Sequence, residues 1–249
     1  MIECLDLTKC FDKIVAVDHL FLEVPDGQLF GFLGPNGAGK TTTIKMLTGL
    51  LQPTEGIARI DGLDVVKQPI AAKTITGYVP DNAFLYEKLT GREMLDLTGD
   101  LWRITTKRRQ SKIDDLLQLF DLTDKRDELI QNYSRGMRQK LSLACALLHE
   151  PKVLLLDEPT VGLDPKSSRL LKQVLRELAN RGTTVFVSTH ILEIAERLCD
   201  RVAIINQGKI IAQGTLEELR AGSNTLSLEE IFLTLTGDAE NADLIKLLD

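Results

Sequence analysis

Residues Gly34-Pro35-Asn36-Gly37-Ala38-Gly39-Lys40-Thr41 carry two glycines, a lysine and a hydroxyl at the spacing that wraps backbone amides around phosphate. The pattern predicts that Lys40 neutralises the β and γ oxygens of a nucleoside triphosphate, that Thr41 gives its hydroxyl to Mg²⁺ and that Thr42 adds a phosphate contact. A second group stands at Asp157-Glu158, after the aliphatic run Val153 to Leu156. An Asp-Glu pair after a strand is by itself more often a surface turn. With a phosphate loop in the same chain it reads as a divided acid pair: Asp157 holds Mg²⁺ through its water shell and Glu158 polarises the water that attacks the γ-phosphate. A third feature is Ser134, a good helix N-cap, followed by Met137, Leu141, Cys145 and Leu148 along one apolar stripe, so a helix is expected to start near Arg135 with its positive end exposed. The phosphate loop already supplies one helix end to the nucleotide. The free one predicts a two-fold, head-to-tail dimer enclosing two ATPs.

The elements that must hold these groups are legible in outline. Short aliphatic runs from Ile2 to Leu33, broken at Asp12-Lys13 and Pro25-Asp26-Gly27, read as strands joined by tight turns, and Leu29 to Leu33 as a buried strand feeding the glycine loop. A helix follows, with Ile44, Leu47 and Leu51 at helical spacing. From about residue 82 to 150 the pattern turns helical, with Leu95, Leu101, Ile113, Leu116, Leu117, Phe120 and Leu122 at three- and four-residue intervals. Beyond it, strands at 153–156, 183–188, 201–205 and 209–212 alternate with helices from Pro165 and after His190. The expectation is an α/β phosphate-loop NTPase core with a parallel sheet, an N-terminal antiparallel β subdomain and an inserted helical subdomain. One domain is placed at 1–236 and a tail at 237–249, with a short amphipathic helix around Ser227 to Leu233.

Bulk properties narrow the setting. A chain of 249 residues, 43% hydrophobic, buries a full core. Its net charge of −6 gives no global basic surface for a nucleic-acid backbone, and Lys107-Arg108-Arg109 reads as a solvated helix face. The cysteines at 4, 10, 145 and 199 have neither CxxC nor framework spacing, which favours a reduced, cytosolic setting. No apolar stretch approaches the roughly 18 residues of a membrane span, so membrane contact is expected only through a partner.

The segment Tyr133-Ser134-Arg135-Gly136-Met137-Arg138-Gln139 makes the resemblance specific: over residues 2 to 236 the chain resembles the nucleotide-binding subunit of an ABC (ATP-binding cassette) transporter. Ser134 and Gly136 stand where the family signature Leu-Ser-Gly-Gly-Gln has its serine and second glycine; Tyr133, Arg135 and Met137 depart from it. The resemblance implies that Ser134 and Gly136 touch the γ-phosphate held by a second cassette, in a homo- or heterodimer. It implies that His190 senses the γ-phosphate, that Gly162-Leu163-Asp164 crosses the dimer interface beside the nucleotide, and that Phe11 stacks on adenine. Packing in the core is the other reading of Phe11. Asp81 stands where the family has a glutamine that contacts Mg²⁺, and its shorter stem suggests contact through water. Phe84-Leu85-Tyr86 either line a groove for a membrane subunit's cytoplasmic helix or pack inside the helical lobe. Arg135 either strengthens the phosphate contact or points to solvent. ATP and Mg²⁺, transmembrane permease subunits, a place at the cytoplasmic face of the membrane and, from the tail around Ser227 to Leu233, export are implied with them.

Three other readings compete. A soluble ABC ATPase acting on ribosomes or nucleic acid would carry two cassettes or a long coiled-coil insertion, and neither is seen. A GTP switch would need an Asn-Lys-x-Asp guanine reader, for which Asn206-Gln207-Gly208-Lys209 is no substitute. Glu158 and His190 argue against a catalytically silent cassette.

Overall fold

The computed structural model describes residues 1–220 and 227–236; the tail expected at 237–249 lies outside the described residues. Strands β1 (Ile2–Phe11) and β2 (Ile14–Val24) pair antiparallel about the turn at Asp12-Lys13. Two strands that the sequence does not announce, β4 (Glu55–Ile60) and β5 (Leu63–Asp64), join them in a four-stranded antiparallel sheet of order β2-β1-β4-β5. This is the expected N-terminal β unit.

The second sheet has six strands in the order β10-β9-β3-β8-β7-β6. They are β3 (Leu29–Leu33), β6 (Thr76–Val79), β7 (Val153–Asp157), β8 (Thr184–Thr189), β9 (Arg201–Asn206) and β10 (Lys209–Gly214). From β9 to β6 every pairing is parallel, whereas β10 is antiparallel to β9. The expectation of parallel strands therefore fails at this edge. Gln207 and Gly208 both take left-handed backbone (φ 47 and 81), the two-residue geometry that turns a strand directly back on its neighbour.

Burial on both faces explains why the central strands read as unbroken apolar runs: every residue of β3, β7 and β8 is buried. Alternation sorts their side chains into two cores. Leu29, Leu33, Leu154, Leu156, Val185 and Val187 face one, which the helices complete. Phe30, Phe32, Leu155 and Phe186 face the other, against the antiparallel sheet, where Phe186 lies 5.7 Å from Phe30 and 5.3 Å from Phe32 between ring centres.

Between β6 and β7 run α3 (Gly91–Leu101), α4 (Thr106–Leu119) and α5 (Arg135–Leu147), with two short 3-10 turns between α4 and α5. Thr90 and Glu93 form a reciprocal capping box that starts α3. Leu95, Ile113, Leu117, Phe120 and Leu122 are buried as their spacing predicts, but Leu101 is 74% exposed, off the face on which Leu95, Thr98 and Gly99 pack. The solvated-face reading of Lys107-Arg108-Arg109 also needs correction. Arg109 is only 12% exposed, its stem lies over Gly99 and its guanidinium pairs with Asp96 at 3.1 Å and with Asp100. Helices α1 (Lys40–Leu47), α2 (Pro69–Thr74), α6 (Pro165–Asn180), α7 (Leu192–Leu198), α8 (Leu216–Leu219) and α9 (Leu228–Thr236) complete the described fold. The amphipathic α9 docks on α7 through Leu228, Ile231 and Phe232.

Just beyond α5, His149 stacks on Trp102 (4.0 Å, 12°), and its Nε2 donates to the Thr76 carbonyl at 3.2 Å. In that neutral form Nδ1 is buried without a hydrogen-bond partner among the described residues, so protonation would bury a poorly paired charge. Burial, with Lys112 nearby, lowers the His149 pKa below the ordinary histidine value. A depressed histidine pKa means that the unfolded chain binds more protons in acid. Stability is therefore expected to be full above about pH 6.5, the unfolded value, and to fall below it. Urea unfolding at pH 7.5 and 5.5 should show that slope in the parent chain and a weaker one in His149→Gln; equal slopes would remove His149 as the cause.

Candidate active site

Because β3, β6, β7 and β8 are parallel, their carboxyl ends share one edge. That edge receives the loop 34–39 from β3, Asp81 from beyond β6, Asp157-Glu158 from β7 and His190 from β8. A cleft of about 240 Å³ opens there, walled by Asn36, Gly37, Gly39, Lys40, Thr41, Thr42, Asp81 and Glu158 together with Ala16 of β2. Gly39 has φ 110, and a Cβ on it would fall 2.6 Å from the Ala16 carbonyl, so no other residue closes this loop. α1 starts at Lys40 with no side-chain cap and no acidic residue in its first turn, which leaves its amide end for an anion.

Lys40 is 6% exposed. Its Nζ donates to Gly34 O at 2.7 Å and Pro35 O at 3.2 Å and lies 3.4 Å from Glu158 Oε1. His190 Nδ1 approaches the same oxygen to 2.9 Å, so cation, carboxylate and imidazole form one chain of contacts. Glu158 is held in left-handed backbone (φ 48), and its N–H donates to Ser188 at both the carbonyl (3.1 Å) and Oγ (3.2 Å). Behind it Asp157 is fully buried. Ser188 Oγ donates to Asp157 Oδ1, while Asp157 Oδ2 and Glu158 Oε2 have no hydrogen-bond partner among the described residues. Asp81 is exposed at the cleft wall and accepts from the N–H of Asn82 at 2.8 Å.

The other expected residues lie elsewhere. Phe11 is 44% exposed with Lys9 Nζ 5.2 Å over its ring, which excludes the core-packing reading. Ser134 caps α5, accepting from Met137 N at 3.3 Å, and with Gly136 stands outside the cleft. Asp164 caps α6: its oxygens accept from Ser167 N (3.0 Å) and Ser167 Oγ (2.6 Å), and these bonds hold its pKa below the usual carboxylate range. Of the departures, Tyr133 is buried and donates to Lys125 O at 2.7 Å, in space that a Cβ at Gly91 would fill. Met137 packs against the core, as its place on the apolar stripe requires.

Two participants escaped the sequence reading. Ser188 pairs in register with Asp157, a relation set by the β7–β8 pairing; its only local signal is its place two residues before His190. Ala16 reaches the cleft only because the antiparallel sheet packs over the loop.

A sheet edge that gathers a phosphate loop, a buried aspartate, and a glutamate linked to both lysine and histidine defines a nucleoside-triphosphate-hydrolysing cassette. The chain belongs to the ABC transporter family, whose family model matches residues 17–161, and it is an ATP-binding ATPase subunit of that family. It is 43% identical over 229 residues to the daunorubicin/doxorubicin resistance ATP-binding protein DrrA of Streptomyces peucetius, covering 91% of this chain and 69% of that protein. A solved ATP-binding subunit of an ABC transporter superposes with a TM-score of 0.90 at 33% identity, covering 95% of this chain and 99% of the other. The dimeric post-hydrolysis state of the cassette MJ0796, bound to ADP and phosphate, superposes at 0.80 with 25% identity, covering 87% and 99%. Among the described residues no helix is long and apolar enough to cross a membrane.

Proposed function

We propose that this cassette pairs with a second one around two ATPs and that hydrolysis drives export through separate transmembrane subunits, at the cytoplasmic face of the membrane. The observation that carries the reading is the Lys40–Glu158–His190 chain of contacts beside a phosphate loop, with the Ser134-capped end of α5 left outside the cleft. A dimer uses that spare helix end, and the MJ0796 likeness supports it. The resistance function in the name of DrrA and the α9 segment favour export.

In the reaction Glu158 accepts a proton from water as the water oxygen bonds to the γ-phosphorus; the bond to the β–γ bridging oxygen breaks, and ADP leaves with phosphate. Lys40 and the loop amides stabilise the charge on the phosphate oxygens, and His190 orients Glu158 and reads the γ-phosphate. The free Oδ2 of Asp157 and the hydroxyl of Thr41 are hard oxygen donors of the kind Mg²⁺ takes, with Asp81 reaching it through water. Held by these residues, Mg²⁺ would neutralise negative charge on the phosphate oxygens. Ser134, Gly136 and Asp164 act across the dimer.

The exposed Phe11 is the platform for the base. Phe11→Ala is expected to weaken ATP and GTP binding alike, by about 1–3 kcal/mol, since stacking reads a ring face rather than its edge. Fluorescent-nucleotide titration checks this, and a loss confined to ATP would sink it.

Phe84, 86% exposed, and the partly buried Leu85 line an apolar groove of about 340 Å³ with Tyr78, Met94 and Trp102; Phe84 supports the docking reading, Leu85 also packs against the core of the lobe, and Tyr86 lies outside the groove. Light scattering of the Glu158→Gln chain should show an ATP-dependent dimer. A photo-crosslinker at position 84 should reach a co-expressed transmembrane subunit. A monomer with saturating ATP, or cross-links only within the cassette, would overturn the corresponding half of the proposal.

A further inference from the structure

Arg135, which departs from the family signature, has a defined seat. It opens α5 next to the Ser134 cap, and its side chain lies across Gly162: a Cβ at 162 would fall 2.8 Å from Nε, 2.9 Å from Cδ and 3.0 Å from Cζ of Arg135. Gly162 is left-handed (φ 78), a conformation a glycine takes without strain, and its missing side chain exposes a flat peptide surface to the planar guanidinium. One residue along each chain, Gly136 faces Leu163, whose Cδ2 lies 3.7 Å from where a Cβ at 136 would be. The neighbouring arginine is held otherwise: Arg138 pairs with Glu87 at 2.5 Å and donates to Tyr133 O and Gln131 O.

The loop under Arg135 is tightly wound and begins at the hydrolytic carboxylate. Val161 N donates to Glu158 O and Leu163 N to Thr160 O, each at 3.2 Å, before Asp164 caps α6. Gly162 is thus two short turns from Glu158, with no flexible spacer between them.

We propose that Arg135 is a positioning residue that clamps the α5 N-terminus to the 158–164 loop, so that engagement of Ser134 by the partner's nucleotide sets the pose of Glu158 in this chain's own cleft. The functional half rests on the two-cassette reading above. Neither end of the clamp walls the cleft, so it acts on turnover rather than on capture of ATP.

The test uses the full chain with Arg135→Ala, Gly162→Ala and the double variant; Arg135 is exposed, so its truncation leaves the core intact. Arg135→Ala is expected to raise amide exchange at residues 159–163 and to lower kcat about tenfold with KM within about twofold. Gly162→Ala, which displaces the guanidinium, should reproduce that split, and the double variant should lose no more than either single one, the signature of one shared contact. Arg135→Lys, which keeps the charge without the plane, should recover only part of the rate. Unchanged exchange at 159–163 or additive losses would overturn the clamp. So would a fall in ATP affinity matching the fall in kcat. If the Glu158→Gln chain stays monomeric with ATP, the two-cassette reading fails instead, and exchange still decides the clamp.

Discussion

Glu158→Gln is expected to slow ATP turnover by on the order of 10²-fold or more while ATP binding stays nearly intact. The substitution keeps the size and one oxygen of the side chain and removes its ability to accept a proton. The backbone that aims it does not depend on the carboxylate: two N–H contacts to Ser188 and a left-handed φ of 48 hold the residue from the main chain. The 3.4 Å contact with Lys40 and the 2.9 Å contact with His190 both fall on Oε1, an oxygen the amide retains. Chemistry is therefore lost and shape kept. The slowed variant accumulates in its ATP-bound form, which is why it also serves to reveal the dimer. Steady-state phosphate release beside fluorescent-nucleotide titration separates the two effects, and unchanged turnover would remove Glu158 from the role of base.

Lys40→Met should instead weaken capture of the nucleotide, with ATP affinity falling about 10²-fold, the size of one or two charge-assisted hydrogen bonds lost together. Methionine fills the same channel without the ammonium. Lys40 is now satisfied by Gly34 O, Pro35 O and Glu158, all within 3.4 Å, so the loop holds its cation in place before phosphate arrives. Removing the charge also leaves Glu158, 15% exposed, without its nearest cation. Because the lysine is expected to reach the β and γ oxygens, ATP should lose more affinity than ADP. Calorimetric titration of both nucleotides checks this; equal and small losses would show that the loop amides alone carry the affinity.

The two variants thus divide along a line that the chain itself draws. Lys40 belongs to a loop whose function lies within eight residues, and Glu158 to a meeting of three strands. The difference runs through the whole molecule. Gly34 to Thr41, the Ser134 cap and the apolar stripe of α5 are legible because short-range backbone geometry and three- or four-residue spacing determine them. The same holds for Val153 to Leu156, where continuous apolarity reports burial on both faces.

What stayed hidden depends on partners distant in the chain. Strands β4 and β5 lack a sharp pattern; the place of β4 beside β1 comes from pairing between residues about fifty positions apart, and β5 is carried along by its pairing with β4. Leu101 sits at a core spacing yet faces solvent, because Thr98, Gly99 and Trp102 take the packed face at the end of α3 and Leu101 lies off it. Arg109 sits in a charged run yet is largely covered, because Asp96 and Asp100 come to meet it from α3.

Nucleotide-phosphate binding, the acidic pair and a second capped helix end are thus legible from neighbouring residues, since each is a local arrangement of backbone and side chain. The folded chain is what brings Ser188 against the Asp157 carboxylate and the Glu158 backbone N–H, and Lys40 and His190 onto one oxygen of Glu158. Those contacts arise from strand order and register, which place residues thirty to a hundred and fifty positions apart at one sheet edge, and no pattern of neighbours along the chain encodes them.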